Sequence, residues 1–237
     1  MSLSEQRRIV RRLVDDSSPK DAPTAYYALF HDPQRSRLFT ATGDNGSPYG
    51  FVGRFQTGLD LFRPLVTMVC RNAEVAEDLF AQALVPGRPY IFFANLNQLP
   101  LAGSTLHLEN QQILQTYRLD VTRFKPQVNV LVTRKRAANG TPRCEIDSGG
   151  QKAVAGVNWQ SPGFAEVYVQ TDPGTRERGW GVSVVAALTD EILKTGRTPI
   201  YLVDTHNDAS RHLAEKLGYV DTGYRQVYAE ATYIGNN

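Results

Sequence analysis

Apolar positions along the chain change period several times, and each change marks an element. Residues 3–14 place Leu3, Ile9, Val10 and Leu13 at helical spacing against an Arg and Glu face, which predicts an amphipathic helix. Residues 15–23 are a polar, proline-containing connector. Residues 37–42 and 49–55 read as strands around Gly43-Asp-Asn-Gly-Ser-Pro, whose Asp-Asn-Gly centre favours a tight hairpin turn. The continuous apolar run 65–70 reads as a buried strand. Residues 73–84 carry Val75, Leu79, Phe80 and Ala83 on one helical face, Pro86-Gly87 closes that helix, and 90–94 is a second buried strand. Strand, helix, strand in that order calls for a parallel pair and a right-handed crossover. Residues 95–125 are mixed: a loop, a short helical stretch at 110–114, then an extended stretch from Tyr117. The boundary between two halves falls here, giving expected domains 1–115 and 116–237.

The second half repeats this grammar. Residues 128–133 and 143–147 read as strands around a polar turn, 134–142, and after Gly149-Gly150 come strands at 152–158 and 164–169. A helix over 181–194 has Val182, Val185, Ala186, Thr189, Ile192 and Leu193 on one face, and Lys194, Gly196 and Pro199 stop it. Strand 200–203, helix 209–217 ended by Gly218, and strands near Tyr219 and at 226–233 complete the chain. Hairpin, strand, helix, strand thus occurs twice, roughly 105 residues apart, with slight residue identity between the copies.

The turn between strand 164–169 and helix 181–194 carries the chemistry. It reads Val169-Gln-Thr-Asp-Pro-Gly-Thr-Arg176-Glu-Arg178-Gly179-Trp180-Gly181-Val182. The first N–H groups of a helix have no intrahelical partner and sit at the positive end of its dipole. Glycines let a bulky anion approach that backbone, so the turn is a candidate phosphate cradle. It is neither a G-x-x-x-x-G-K-S/T loop nor G-x-G-x-x-G, which excludes a nucleoside-triphosphate P-loop and weakens a dinucleotide reading.

Arg176-x-x-Gly179-x-Gly181 resembles the pyrophosphate-binding motif of the GNAT superfamily of acyl-CoA-dependent N-acetyltransferases. Downstream, Asn207-Asp-Ala-Ser210-Arg-His-Leu213-Ala-Glu-Lys216-Leu217-Gly218-Tyr219 resembles that superfamily's second motif, N-x-x-[AS]-x-x-L-Y-x-K-x-G-[FY]. The two lie in the correct order, separated by one helix and one strand, and the resemblance covers about residues 128–237. It implies an α/β (α+β mixed sheet) chain with a GNAT-like fold in the C-terminal half. The N-terminal half echoes the architecture in tandem as a degenerate GNAT-like domain, since Cys70-Arg-Asn-Ala-Glu lacks the motif. The resemblance further implies a sheet that splays between strands 164–169 and 200–203, with acetyl-CoA in the gap as co-substrate. Backbone groups of Val167, Tyr168 and Val169 would pair with the pantetheine arm, and Arg176, Arg178, Gly179, Gly181 and Val182 would surround the pyrophosphate. Trp180 would pack on the cofactor or fill the helix–sheet junction, while Asn207 and Ser210 would contact CoA or order the site.

Phe164-Ala165-Glu166 reproduces a stretch in which some superfamily members carry a general base, so Glu166 is the candidate base; a carboxylate in a pKa-raising environment suits that role. The tyrosine that usually protonates the leaving thiolate would fall at 214, where this chain has Ala214. Tyr219, Tyr224 or Tyr228, or water, are the replacements considered, with Tyr219 first. The implied activity is transfer of an acetyl or short acyl group from acetyl-CoA to an amine acceptor by direct attack. The alternative is a non-catalytic acyl-CoA-binding or interaction module, motivated by Ala214 and the degenerate first half.

Composition narrows the partners. The 237 residues are 41% hydrophobic and 21% charged, which fits one or two globular domains. Lys+Arg (26) and Asp+Glu (24) leave +2, and neither half is a basic arm, so no nucleic acid is expected as partner and a charged tRNA is disfavoured as acyl donor. Cys70 and Cys144 are the sole cysteines and form no C-x-x-C pair, as in a reducing compartment. Arg7, Arg8, Arg11 and Arg12 interrupt the first apolar stretch, so no secretion signal is expected. The uncharged run 89–108 contains Asn95, Asn97, Gln98, Pro100 and His107 and cannot span a bilayer. His31, His107, His206 and His212 have no metal-ligand spacing, and Ser183 and Ser210 lack a G-x-S-x-G elbow. A cytoplasmic, metal-free monomer or homodimer is the expectation.

Overall fold

Alternation and helical spacing are realised along most of the chain. The computed structural model describes residues 1–235 apart from Leu59 and Ser104, and the side chains of Arg176 and Glu177 lie outside the described part. In order come α1 (Leu3–Val10), α2 (Ala22–Ala25) running into a wider π-turn (Tyr26–Phe30), β1 (Ser36–Thr42), β2 (Pro48–Phe55), β3 (Leu65–Cys70), α3 (Ala73–Ala83) and β4 (Pro89–Asn95). Then follow α4 (Leu99–Ala102), β5 (Leu106–Leu119), β6 (Thr133–Arg136), β7 (Pro142–Ser148), β8 (Gln151–Gln160) and β9 (Phe164–Thr171). The chain ends with α5 (Trp180–Leu193), β10 (Thr198–Asp204), α6 (Asp208–Lys216) and β11 (Tyr219–Tyr233).

Two compact units result: Met1–Leu114 with Tyr224–Asn237, and Gln115–Gly223. The first unit's strands run β1-β2-β3-β4 and then the end of β11, which pairs antiparallel with β4 from Gln226↔Asn95 to Thr232↔Pro89. The β1–β2 hairpin turns at Gly46, in the left-handed region (φ 71°), as Asp-Asn-Gly requires. α3 buries Ala76, Leu79, Phe80 and Ala83 against β1, β2 and β3, and each large apolar side chain so removed from water contributes about 1.5–3 kcal/mol.

The second unit's strands run β6-β7-β8-β9-β10 and then β5, which enters this unit with residues 115–119. β6 to β9 are antiparallel, β9 and β10 parallel. α5 lies over β7, β8, β9 and β10, burying Val184, Val185, Leu188 and Ile192. In each unit, therefore, the strand beside the crossover's second strand comes from the other half of the sequence: β11 beside β4 and β5 beside β10. The last residues belong to the first unit, whereas the domain limits read from the sequence, 1–115 and 116–237, keep them with the second.

Two local expectations are corrected. Residues 110–114 are strand, part of β5, because pairing in a sheet outweighs the weak helical preference of a Gln- and Asn-rich stretch. Residues 128–132 are not strand; Val128 and Val130 are 94% exposed, and β6 instead begins at Thr133 and runs through the charged residues to Arg136 inside the expected turn. Edge strands are held by the backbone ladder and protected by charge, so hydrophobic alternation does not mark them.

Candidate functional site

The β9–α5 connection is built around a left-handed glycine. Asp172 anchors its start: its carboxylate accepts from the Lys152 N–H (2.7 Å) and its carbonyl from the Thr175 hydroxyl (2.7 Å). A short 3-10 turn, Pro173–Arg178, follows, and Gly179 (φ 70°, ψ 13°) redirects the chain into α5, a conformation that strains any side chain. Among the described residues no side chain caps α5, and its first N–H groups, like those of any helix, have no intrahelical partner. Gly179, Gly181 and Val182 line a cavity of about 490 Å³ that Lys216 and His212 of α6 also border. A helix start and a lysine on one cavity give it positive potential. At Gly181 a Cβ would sit 3.3 Å from both Leu213 and Thr171, so the backbone runs close beneath the cavity floor.

The sheet opens beside this cavity. β9 and β10 pair over Phe164↔Thr198 to Val167↔Tyr201 and no further, which leaves the β10-facing edge of β9 open from Tyr168 onward. A second cavity of about 200 Å³ occupies this opening, lined by Glu166, Val167, Tyr168 and Val169 on β9, Tyr201 and Asp204 on β10, and Asn158. Val169, Asn207 and Ser210 line both cavities. Asn207 also caps α6, its side-chain oxygen accepting from the Ser210 N–H at 3.0 Å.

Glu166 owes its environment to a bulge. Register shifts between Val157 and Trp159, so Asn158 is an extra residue opposite β9, and its amide donates to the Glu166 carboxylate at 3.1 Å. Burial disfavours the charged form and pushes the Glu166 pKa up to about 7, against the opposing hydrogen bonds from Asn158 and Trp159. Val167, one residue on, faces the core under α5, and the Tyr168 ring covers Gly156, where a Cβ would sit 2.6 Å from that ring.

The structure brings Glu166, Val167, Tyr168, Val169, Gly179, Gly181, Val182, Asn207 and Ser210 onto the two cavities. The side chain of Arg176 lies outside the described residues. Arg178 stacks its guanidinium on Trp180, 5.5 Å from the ring centroid, and Trp180 is buried at the helix–sheet junction. Tyr219 is not brought to either cavity: it is buried in the core, its hydroxyl 2.8 Å from that of Thr189, and burial raises its pKa. Tyr224 is exposed, and Tyr228 packs edge-on to Phe93 in the first unit. Asn158 and Tyr201 escaped the sequence reading; one depends on a bulge, the other sits in an apolar strand like any core tyrosine. Among the described residues no group of three or more His, Cys, Asp or Glu side chains is placed to hold a metal, and no helix is long and apolar enough to cross a membrane.

The corresponding crossover of the first unit closes on itself. β3 and β4 pair over Leu65↔Ile91 and Val66↔Phe92 only, yet the Cys70 N–H donates to the buried Gln98 side chain at 2.8 Å. The start of α3 is capped by Asn72, which accepts from the Val75 N–H at 3.0 Å. Among the described residues the start of α5 has no such cap, whereas the start of α3 is satisfied by Asn72.

Comparison with known proteins agrees with this architecture. Residues 147–228 match the family model described as FR47-like protein. A GCN5-related N-acetyltransferase-like protein from Streptococcus suis superposes with a TM-score of 0.61 at 18% identity, covering 97% of this chain and 100% of that one. A tandem GNAT protein from the clavulanic acid biosynthesis pathway gives 0.59 at 13% identity, over 100% and 98%. A GNAT-family acetyltransferase from Colwellia psychrerythraea gives 0.59 at 12%, over 97% of each. No curated protein matches the chain in sequence. The chain therefore has a tandem GNAT fold, and its second half carries the resemblance to the GNAT superfamily together with the FR47-like match.

Proposed function

We propose that the chain is an acyl-CoA-dependent N-acyltransferase whose second unit binds acetyl-CoA. The observation that carries this is the shared wall of Val169, Asn207 and Ser210, which joins a cavity at a helix start to one that holds a buried carboxylate. The first suits the diphosphate of a CoA ester, which the α5 N–H groups and Lys216 would hold. The open edge of β9 suits the amide-containing arm, and Glu166 stands where the thioester would end. Glu166, with a pKa near neutrality, takes a proton from the incoming amine. A β9 backbone N–H near Val169 polarises the thioester carbonyl, and holding both reactants supplies much of the rate. Glu166 and Asp204 line the second cavity and, among the described residues, no cationic side chain does, which suits an amine that arrives protonated.

Calorimetric titration with acetyl-CoA and CoA, followed by thiol release across a broad amine panel, tests the reading. Absence of binding refutes it. Binding without thiol release favours the second reading, a non-catalytic acyl-CoA-binding module, which Ala214 motivates.

A further inference from the structure

An amine that attacks a thioester expels a thiolate, and a proton donor beside the sulfur eases its departure. Ala214 supplies none; it is fully buried in the same core cluster as Tyr201 and Tyr219. The two aromatic rings pack edge to face there, with centroids 6.3 Å apart. Of the two, Tyr219 has its hydroxyl on Thr189, whereas Tyr201 borders the β9–β10 cavity together with Ser210, which lies one turn before Ala214 on α6 and favours the phenolate form. The other O–H and carboxyl groups on that lining have other placements. Asp204 accepts from the His206 N–H at 2.8 Å, Glu166 is the base, and the Tyr168 ring turns onto Gly156 of β8, away from the core pair of Tyr201 and Tyr219.

We infer that Tyr201 is the proton donor to the departing sulfur, a β10 tyrosine reaching α6 where the residue at 214 does not. This rests on the acyl-transfer reading above. In the step, the amine, having first released its ammonium proton to water, bonds to the acyl carbon as a second nitrogen proton passes to the Glu166 carboxylate. The carbon–sulfur bond breaks, the Tyr201 Oη–H bond breaks and an S–H bond forms. The proton held by Glu166 then returns to the Tyr201 oxygen through water, so amine and thioester give amide and free thiol with no further reactant. Burial raises the Tyr201 pKa and the negative charge of Glu166 adds to it, which keeps the phenol protonated at neutral pH; the Ser210 hydroxyl steadies the phenolate once formed. Sequence alone cannot single out Tyr201, because Ile200-Tyr-Leu-Val203 reads as a buried strand.

The test is Tyr201→Phe in the full chain, with thiol release measured at saturating amine and varied acetyl-CoA. Expected are a fall in kcat of about 10²-fold, KM for acetyl-CoA within about twofold, and the ionisation near pH 7 retained. A melting temperature within about 4 °C of the unmodified chain separates this from loss of structure. Ser210→Ala lowers kcat several-fold whatever it does to KM, and decides the matter if Tyr201→Phe does not fold. If the unmodified chain releases thiol and both variants match it in kcat, Tyr201 is not the donor and acyl transfer stands. If the unmodified chain releases no thiol with any amine, the acyl-transfer reading falls, and this assignment with it.

Discussion

Glu166→Gln replaces a buried ionisable group with a neutral one of the same shape, and both stability and rate should report it. Folding raises the Glu166 pKa from 4.5 to about 7, chiefly by desolvation. A folded-state pKa above the unfolded one means that the folded chain binds more protons within that window, so stability is greatest below about pH 4.5 and is lost as pH rises through about 7. Each pKa unit is worth about 1.4 kcal/mol, which makes the ionised carboxylate cost about 3 kcal/mol at pH 8. Glutamine does not ionise and escapes that cost. At roughly 2–4 °C per kcal/mol for a chain of this size, the variant should melt roughly 6–12 °C above the unmodified protein at pH 8 and only roughly 2–3 °C above it at pH 5. Scanning calorimetry at both pH values measures this. For the unmodified protein kcat/KM should rise about ninefold from pH 6 to pH 8, as the ionised fraction goes from about 10% to about 90%. The variant should lose about 10²-fold at pH 8 and show no such rise. An equal melting difference at both pH values, or a variant less stable at pH 8, would refute the reasoning, since the carboxylate would then not be held against its own charge.

Gly181→Val places branched carbon where even a Cβ lies 3.3 Å from Leu213 and Thr171, so acetyl-CoA affinity by calorimetry should fall at least tenfold. Asn207→Ala removes the cap on the Ser210 N–H and should destabilise by about 1 kcal/mol, seen as a midpoint shift in urea unfolding. Tyr219→Phe leaves the Thr189 hydroxyl without its partner in the core and should also cost about 1 kcal/mol, while kcat changes less than twofold; a large fall in kcat would return Tyr219 to the reaction.

Legibility varied with the range of the interaction. The β1–β2 hairpin, α3 and α5 were readable because local backbone preference and side-chain periodicity act over a few residues and agree with the final packing. β6 was misplaced: Thr133 to Arg136 is polar and exposed, and only the neighbouring strand makes it one. Residues 110–114 were misread for the same reason. At the site, Gly179 and Gly181 were legible because a helix start must leave backbone donors open and glycine has no side chain to cover them. Asn158 was not, because its reach to Glu166 depends on a bulge between two strands.

By itself the sequence determined the repeated strand–helix–strand order, the anion-suited turn before α5, Glu166 as the carboxylate to watch and the alanine at 214, all properties of neighbouring residues or of identity. Tertiary structure alone decided that β5 and β11 trade places between the units, that Gln98 and Asn72 fill the first crossover while the second stays open, and that Tyr201 rather than Tyr219 borders the β9–β10 opening. Those outcomes depend on which strands pair and which side chains meet across tens of residues, and solvation acts on that arrangement: the same glutamate titrates near 4.5 in water and near 7 once β8 and β9 enclose it.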